Sequence, residues 1–311
     1  VIDPIRLAVF QPLPHGDDGA TPNTAREAQV QLGHRLFFEA RLSSNGHVSC
    51  ESCHALGNAG MDGLRVSKGV DGKTLSRNTP TVLNAALSTS FGWAGQGDTL
   101  EHFLGAHLQQ ATVLGASDAR IEKLKKEKGY DKLFEAAFPG DPQAFRQQTA
   151  AIALASYVRR LVTPSPWDRF LQGDQKALSD EQKKGFNLFA DAGCMTCHGG
   201  VNLGGMLVQK LGLIAPWPVA DGGTPDLGRF ETTKNDDDRM MFRSAPLRNV
   251  ARTAPYSVDG SVASLEQMVK LMAHHQLARD LTDADARSIG VFLSALTGEP
   301  PQELIAKPTL K

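Results

Sequence analysis

Cys50-Glu51-Ser52-Cys53-His54 and Cys194-Met195-Thr196-Cys197-His198 are two copies of one five-residue pattern, 144 residues apart. Two thiols separated by two residues, with an imidazole directly after, make the attachment pattern of a c-type haem. Both sulfurs bond covalently to the porphyrin and the histidine offers the iron a nitrogen. The two intervening residues let one turn of chain reach both edges of the macrocycle while the histidine faces the metal. The chain holds four cysteines, and two haems would use them all. The spacing argues against other thiol chemistry. Paired Cys-x-x-Cys zinc sites usually lie about 15–20 residues apart and need no histidine after each pair. A thioredoxin-like redox pair belongs in a βαβ pattern, and this chain shows little strand periodicity.

The elements that must position the two motifs are helical. The 311 residues suggest a mainly α protein of two cytochrome c-like domains, each around one covalently bound haem. Apolar residues make up 41% of the chain but aromatics only 6%, so haem faces would supply much of the missing core bulk. Lys and Arg number 33 against 34 Asp and Glu, a balance that gives no argument for nucleic acid. No run of about 18 apolar residues marks a membrane span. The sequence starts at Val1 with neither Met nor an apolar signal core, which suggests an exported product whose signal has been removed. Attachment of haem to Cys-x-x-Cys-His is done outside the bacterial cytoplasm, so the cofactor places the chain in the periplasm.

Residues 1–23 carry four prolines and two glycines and read as an N-terminal arm in extended conformation. From Thr24, placed as a helix cap, Ala28, Leu32, Leu36 and Phe37 recur at helical spacing. This helix delivers the chain to the first motif through residues 41–46. A glycine-rich loop, 57–72, follows His54 and reads as wrapping a haem edge. Helical stretches come next around 99–110, 116–128 and 143–161; in the last, Ala150, Ala153, Leu154 and Tyr157 form an apolar stripe best explained as plain core. Thr163-Pro164-Ser165-Pro166 stops that helix and marks the domain boundary. It separates an N-terminal domain, 24–163, from a C-terminal one, 164–311. Leu178-Ser179-Asp180-Glu181 is a capping start to a helix that ends at Gly193, beside the second motif. Leu32-Gly33-His34-Arg35-Leu36-Phe37 before Cys50 and Lys184-Gly185-Phe186-Asn187-Leu188-Phe189 before Cys194 read as a duplicated cytochrome unit. Residues 216–239 are loop-like and acidic, with solvation the plain reading and docking of a basic electron carrier the functional one. Helices over 264–275 and 282–296 close the pattern.

With these segments in view, the sequence resembles the bacterial dihaem cytochrome c peroxidases and their MauG-type relatives. The carrying stretches are Leu32 to Phe38, Arg41-Leu42-Ser43, Arg77 to Asn84, Gly199 to Gly205, Phe242 to Asn249 and Phe292 to Gly298. They span nearly the whole chain in the family's order. The resemblance implies that Trp93 is the indole between the haems that couples them electronically. It makes Met272 the sulfur ligand opposite His198 on the C-terminal iron, with His274 and His275 as rivals out of register. A thioether opposite histidine raises the haem potential, which suits an iron that receives electrons. Arg243 and Arg248 match arginines near haem carboxylates, against a plain reading as exposed ion pairs. Asn78, Thr253 and Pro255 match a calcium site between the domains, with one side-chain oxygen and two backbone carbonyls suited to a hard cation.

Departures from the family pattern bear on the chemistry. Val70 stands where the peroxidases usually carry a histidine that caps the N-terminal iron. Phe103 and Val113 stand where they carry Gln and the acid–base Glu. His107, where relatives usually have proline, is the candidate replacement, with iron ligation or an outward orientation as its other readings; His102 is a weaker alternative. The leading expectation is a peroxidase-family enzyme that reacts with hydrogen peroxide at the N-terminal haem, held by Cys50, Cys53 and His54. Electrons would enter through the C-terminal haem, held by Cys194, Cys197, His198 and Met272. They would come from a small cytochrome c or cupredoxin, or, in a MauG-like role, from a protein substrate. Against MauG itself stands Met272, because MauG has Tyr there. The competing class is a dihaem electron carrier with no peroxide chemistry. A homodimer, usual in the family, leaves no readable signature in the chain.

Overall fold

Two interleaved units emerge from the computed structural model, which describes residues 1–14 and 24–309. Pro14–Ala86, Gly97–Val162 and Pro300–Lys311 make the unit that contains the first motif. Val1–Leu13, Leu87–Gln96 and Thr163–Glu299 make the unit that contains the second. The chain passes from one to the other between Val162 and Thr163, at the head of the Thr-Pro-Ser-Pro stretch.

The first-motif unit is built on α1 (Thr24–Phe37), α2 (Cys50–Cys53), α3 (Leu100–Gln109), α4 (Tyr130–Ala137) and α5 (Gln147–Val158). Small residues at Ala150, Ala151, Ala153 and Ala155 leave α5 thin and buried, so α1 can lie close against it. Gly33 marks the closest approach: a Cβ there would sit 2.0 Å from the Ala153 carbonyl oxygen. The last segment of the chain fastens onto the same helices. Tyr157 donates to Leu304 O at 2.6 Å, His34 Nε2 lies 2.9 Å from Ala306 O, and Arg35 donates to Pro308 O at 2.7 Å.

In the second-motif unit, α6 (Asp180–Asp191), α7 (Leu265–Leu277) and α8 (Asp283–Ser294) surround an aromatic core. Ser179, Ser264 and Thr282 cap these helices by accepting from the third residue of each, which satisfies N–H groups that have no partner within the helix. Gly185 repeats the arrangement of Gly33: its Cβ would lie 2.0 Å from Ser288 O of α8. The duplicated sequence thus has a duplicated contact. Trp167, Phe186 and Phe292 pack with ring centres 5.2–5.3 Å apart. A two-stranded antiparallel ribbon, β1 (Val208–Lys210) and β2 (Met241–Arg243), pairs Val208 with Arg243 and Lys210 with Met241.

The N-terminal segment departs from an extended arm. Pro4–Leu7 form one helical turn, with Asp3 accepting from Ile5 N at 3.0 Å and Pro4 in the first turn, where its missing N–H costs nothing. Ile2 and Phe10 are buried in the aromatic core. Burial of these apolar residues outweighs the local signal of the prolines; the remainder of the expected arm, 15–23, lies outside the described residues.

Candidate functional site

The first motif is a single turn, α2, closed by His54 N donating to Cys50 O at 2.8 Å. His54 Nδ1 lies 3.1 Å from Pro80 O. A ring nitrogen held by a carbonyl carries the proton, which leaves the lone pair on Nε2 for a metal. Burial, with His107 as a second contributor, lowers the His54 pKa to about 4, so the ring is neutral as iron ligation requires.

The second motif follows α6 through Gly193, whose φ of +94° turns the chain out of the helix. His198 N donates to Cys194 O at 3.0 Å, and His198 Nδ1 lies 3.2 Å from Leu203 O, so the same tautomer is set. Burial lowers the His198 pKa. All four cysteines are free, and burial pushes the Cys50 and Cys194 thiols up to about 12.

The loop after His54 returns to its motif. Cys53 Sγ comes within 3.9 Å of Lys68 O, and Lys68 bridges to Thr74. Val70 is buried in this return. Beside it, Gly69 abuts the segment that carries Val113: a Cβ on Gly69 would meet Thr112 O at 1.8 Å. His107, on α3, is half-buried and stacks on Phe103 with ring centres 5.5 Å apart and planes 14° apart. It lies near enough to His54 to shift its pKa. Burial lowers the His107 pKa, against an opposing hydrogen bond to the Gln110 side chain. The structure therefore brings His107, and not His102, toward the first motif. His102 is exposed and faces Asp98 at 3.4 Å.

A family model described as di-haem cytochrome c peroxidase matches residues 27–176. Cytochrome c551 peroxidase of Pseudomonas aeruginosa is 38% identical over 299 residues, covering 95% of this chain and 86% of that protein. The chain belongs to the di-haem cytochrome c peroxidase family. Methylamine utilization protein MauG of Methylorubrum extorquens is 32% identical over 292 residues, covering 89% of this chain and 80% of its own. The crystal structure of a MauG-like protein associated with microbial copper homeostasis superposes with a TM-score of 0.78 at 30% identity, covering 96% of this chain and 95% of that one. The mainly helical fold and the haem-peroxidase class of oxidoreductase follow from this membership.

The remaining positions in this di-haem peroxidase are distributed as follows. Met272 is half-buried on α7. Of the rival histidines, His274 is exposed and meets Asp280 at 2.7 Å, while His275 Nδ1 lies 3.2 Å from Ala215 O. Trp93 belongs to the second-motif unit, where its carbonyl accepts from Arg243 N at 2.8 Å. Arg243 donates to Gly92 O at 2.9 Å and Ser88 Oγ at 3.0 Å. Burial lowers its pKa to about 10, and no carboxylate among the described residues pairs with it. A half-buried cation of this kind fits a haem carboxylate.

Arg248 is otherwise engaged. It is fully buried, donates twice to Asp168 at 2.9 Å and once to Val201 O at 2.8 Å. The pair with Asp168 is buried, so the plain reading of Arg248 as an exposed ion pair does not hold. Asn78 is in the first-motif unit and Thr253 and Pro255 in the second. The Asn78 amide nitrogen donates to Leu64 O at 2.9 Å and Arg65 O at 3.1 Å, which orients its oxygen the other way.

The residues present fit the family's two haems. Each motif offers two free thiols and an imidazole whose carbonyl-held Nδ1 leaves Nε2 to the iron, and Arg243 offers a cation in need of an anion. Three participants were not apparent in the sequence: Asp168 as the partner of Arg248, Gln110 as the partner of His107, and Trp217, whose ring centre lies 5.4 Å from that of His275. For the last, the only local signal is a tryptophan between two prolines in a loop.

Proposed function

We propose that the chain reduces hydrogen peroxide at the N-terminal haem and draws the two electrons through the C-terminal haem. The observation that carries this reading is His107, an imidazole on α3 stacked on Phe103 and within electrostatic reach of His54. Haem held by Cys50, Cys53 and His54 would supply the redox chemistry that cleaves the O–O bond. His107 would take the first peroxide proton and return it to the leaving oxygen, the work done by a carboxylate in most relatives. Its lowered pKa keeps the ring neutral and able to accept. With Gln110 accepting from one ring N–H, as its influence on the His107 pKa indicates, the other nitrogen would serve as the base. Val70, Val113 and Phe103 offer iron no ligand and peroxide no competing base.

Cys194, Cys197, His198 and Met272 would hold the haem that receives electrons, with Arg243 against one of its carboxylates and Trp93 coupling the two haems. Calcium, with Asn78, Thr253 and Pro255 as oxygen donors, is part of the same proposal. So is a periplasmic site of action, in keeping with covalent haem attachment; no helix among the described residues is long and apolar enough to cross a membrane. The electron source is a small cytochrome c or cupredoxin, or a protein substrate as in MauG.

The test is the absorption and EPR spectrum of the oxidised holoprotein before and after one equivalent of hydrogen peroxide. An open site gives a high-spin haem signal that peroxide discharges within seconds. Two low-spin haems that ignore peroxide would overturn the reading in favour of an electron carrier, with His107 as an iron ligand.

A further inference from the structure

The chain has three tryptophans. Trp167 is sealed in the aromatic core and Trp93 is assigned to coupling the haems. Trp217 stands apart, half-exposed in Pro216-Trp217-Pro218. Its loop is fastened to the last turn of α7. Ile214 N and Ala215 N donate to His275 O at 2.9 and 3.2 Å, and Gln276 Oε1 accepts from Gly212 N and Leu213 N at 2.5 and 3.1 Å. Gln276 Nε2 donates to Lys210 O at 3.0 Å. The indole rests against the His275 ring, centre to centre 5.4 Å at 60°. His275 lies three residues after Met272, about one helical turn.

Around the indole the chain exposes aliphatic side chains instead of burying them: Leu213 is 54% exposed, Ile214 58% and Val219 43%. An oxidisable ring, fixed to the helix of the candidate iron ligand and framed by exposed apolar surface, is suited to exchange electrons with something too large to enter a pocket.

We propose that Trp217 is an electron-relay residue, at which a protein donor discharges the peroxide-oxidised enzyme. The inference rests on the peroxide reading above. The Trp217 indole gives one electron toward the C-terminal haem, and the resulting indole radical cation takes one electron from the docked donor, which is oxidised by one. No atom is transferred. Two such passages supply the two electrons that, with two protons, convert one hydrogen peroxide to two waters.

The experiment adds one equivalent of hydrogen peroxide to the holoenzyme without donor, records the haem spectrum, and then maps oxygen incorporation at each tryptophan by peptide mass spectrometry. In parallel, reduced cytochrome c is mixed with the peroxide-treated enzyme in a stopped-flow instrument, for the parent, Trp217→Phe and Trp217→Tyr. Phe keeps a ring against His275 but is hard to oxidise; Tyr keeps both ring and redox activity. The expected result is modification at Trp217 above Trp167, and a discharge rate at saturating cytochrome about tenfold lower for W217F, partly restored in W217Y. Haems that respond to peroxide while Trp217 stays unmodified and W217F discharges at the parent rate would overturn the relay and leave the peroxide reading intact. A change in cytochrome affinity alone, with the saturated rate unmoved, would also overturn it, making Trp217 a docking contact. Haems that ignore peroxide would sink both readings.

Discussion

Replacing Arg248 with Met separates two roles for this side chain, a brace for Asp168 and a contact to a haem carboxylate. In the structure both carboxylate oxygens of Asp168 lie 2.9 Å from the Arg248 guanidinium, and the pair is fully enclosed. Met fills similar volume without charge and strands the carboxylate. Removal of one partner of a buried pair costs about 3–5 kcal/mol. Asp168 would still accept from Leu13 N at 2.7 Å, Ser165 N at 2.8 Å and Ser165 Oγ at 2.7 Å, so the lower end, about 3 kcal/mol, is expected. For a unit of roughly 160 residues, that lowers Tm by about 6–12 °C. Adding Asp168→Asn removes the stranded charge but keeps an acceptor, and the double variant should melt above R248M. Burial alone would raise the Asp168 pKa, yet Arg248 and the hydrogen bonds outweigh it and hold the group below the usual carboxylate value. The pair's stabilisation is therefore complete above about pH 4 and is lost as pH falls through the lowered folded value. Thermal denaturation followed by circular dichroism, with the haem potentials measured alongside, decides the matter. An R248M protein that melts with the parent but has a shifted C-terminal haem potential would refute the brace.

His107→Gln should slow the reaction with peroxide by about 10²–10⁴-fold, the usual worth of general acid–base catalysis. Because burial lowers the His107 pKa, the parent rate should fall on the acid side only below the ordinary histidine value of about 6.5; the variant should lack that limb, and a shared limb would exclude His107 as the base. Gly185→Ala gains about 1 kcal/mol of helix propensity but sets a methyl 2.0 Å from Ser288 O. Backbone crowding of this kind should dominate, with a net loss of about 1–3 kcal/mol in urea unfolding, and an unchanged midpoint would mean that α6 and α8 can separate freely.

Legibility in the sequence followed locality. The haem motifs and the capped helices declare themselves within a few residues: Ser179 and Gln182 satisfy each other, and Ser264 and Thr282 stand directly before their helices. The helix Tyr130–Ala137 was not foreseen, since eight residues after a glycine give too little periodicity. Strands of three residues in a long loop were equally silent. Pairings over long sequence separation could not be read at all. Asp168 is 80 residues from Arg248, so nothing near either residue in the sequence announces that the two meet in a buried pair. His107 was legible as an oddity, but its approach to His54 depends on how α3 folds back toward the first motif.

The interleaving of the two units bears on the order of biosynthesis. Cys50 leaves the ribosome long before Cys194, yet its unit includes Pro300–Lys311, which follow every residue of the other unit. The unit around Cys194 needs nothing beyond Glu299 and can close first. Domains generally fold as units, so the unit around Cys50 can be completed only after the unit around Cys194 has all of its residues. The segment that carries Cys50 is the one left open longest to the machinery that attaches haem, and deletion of residues 300–311 would leave that unit, and the peroxide chemistry proposed for it, unfinished.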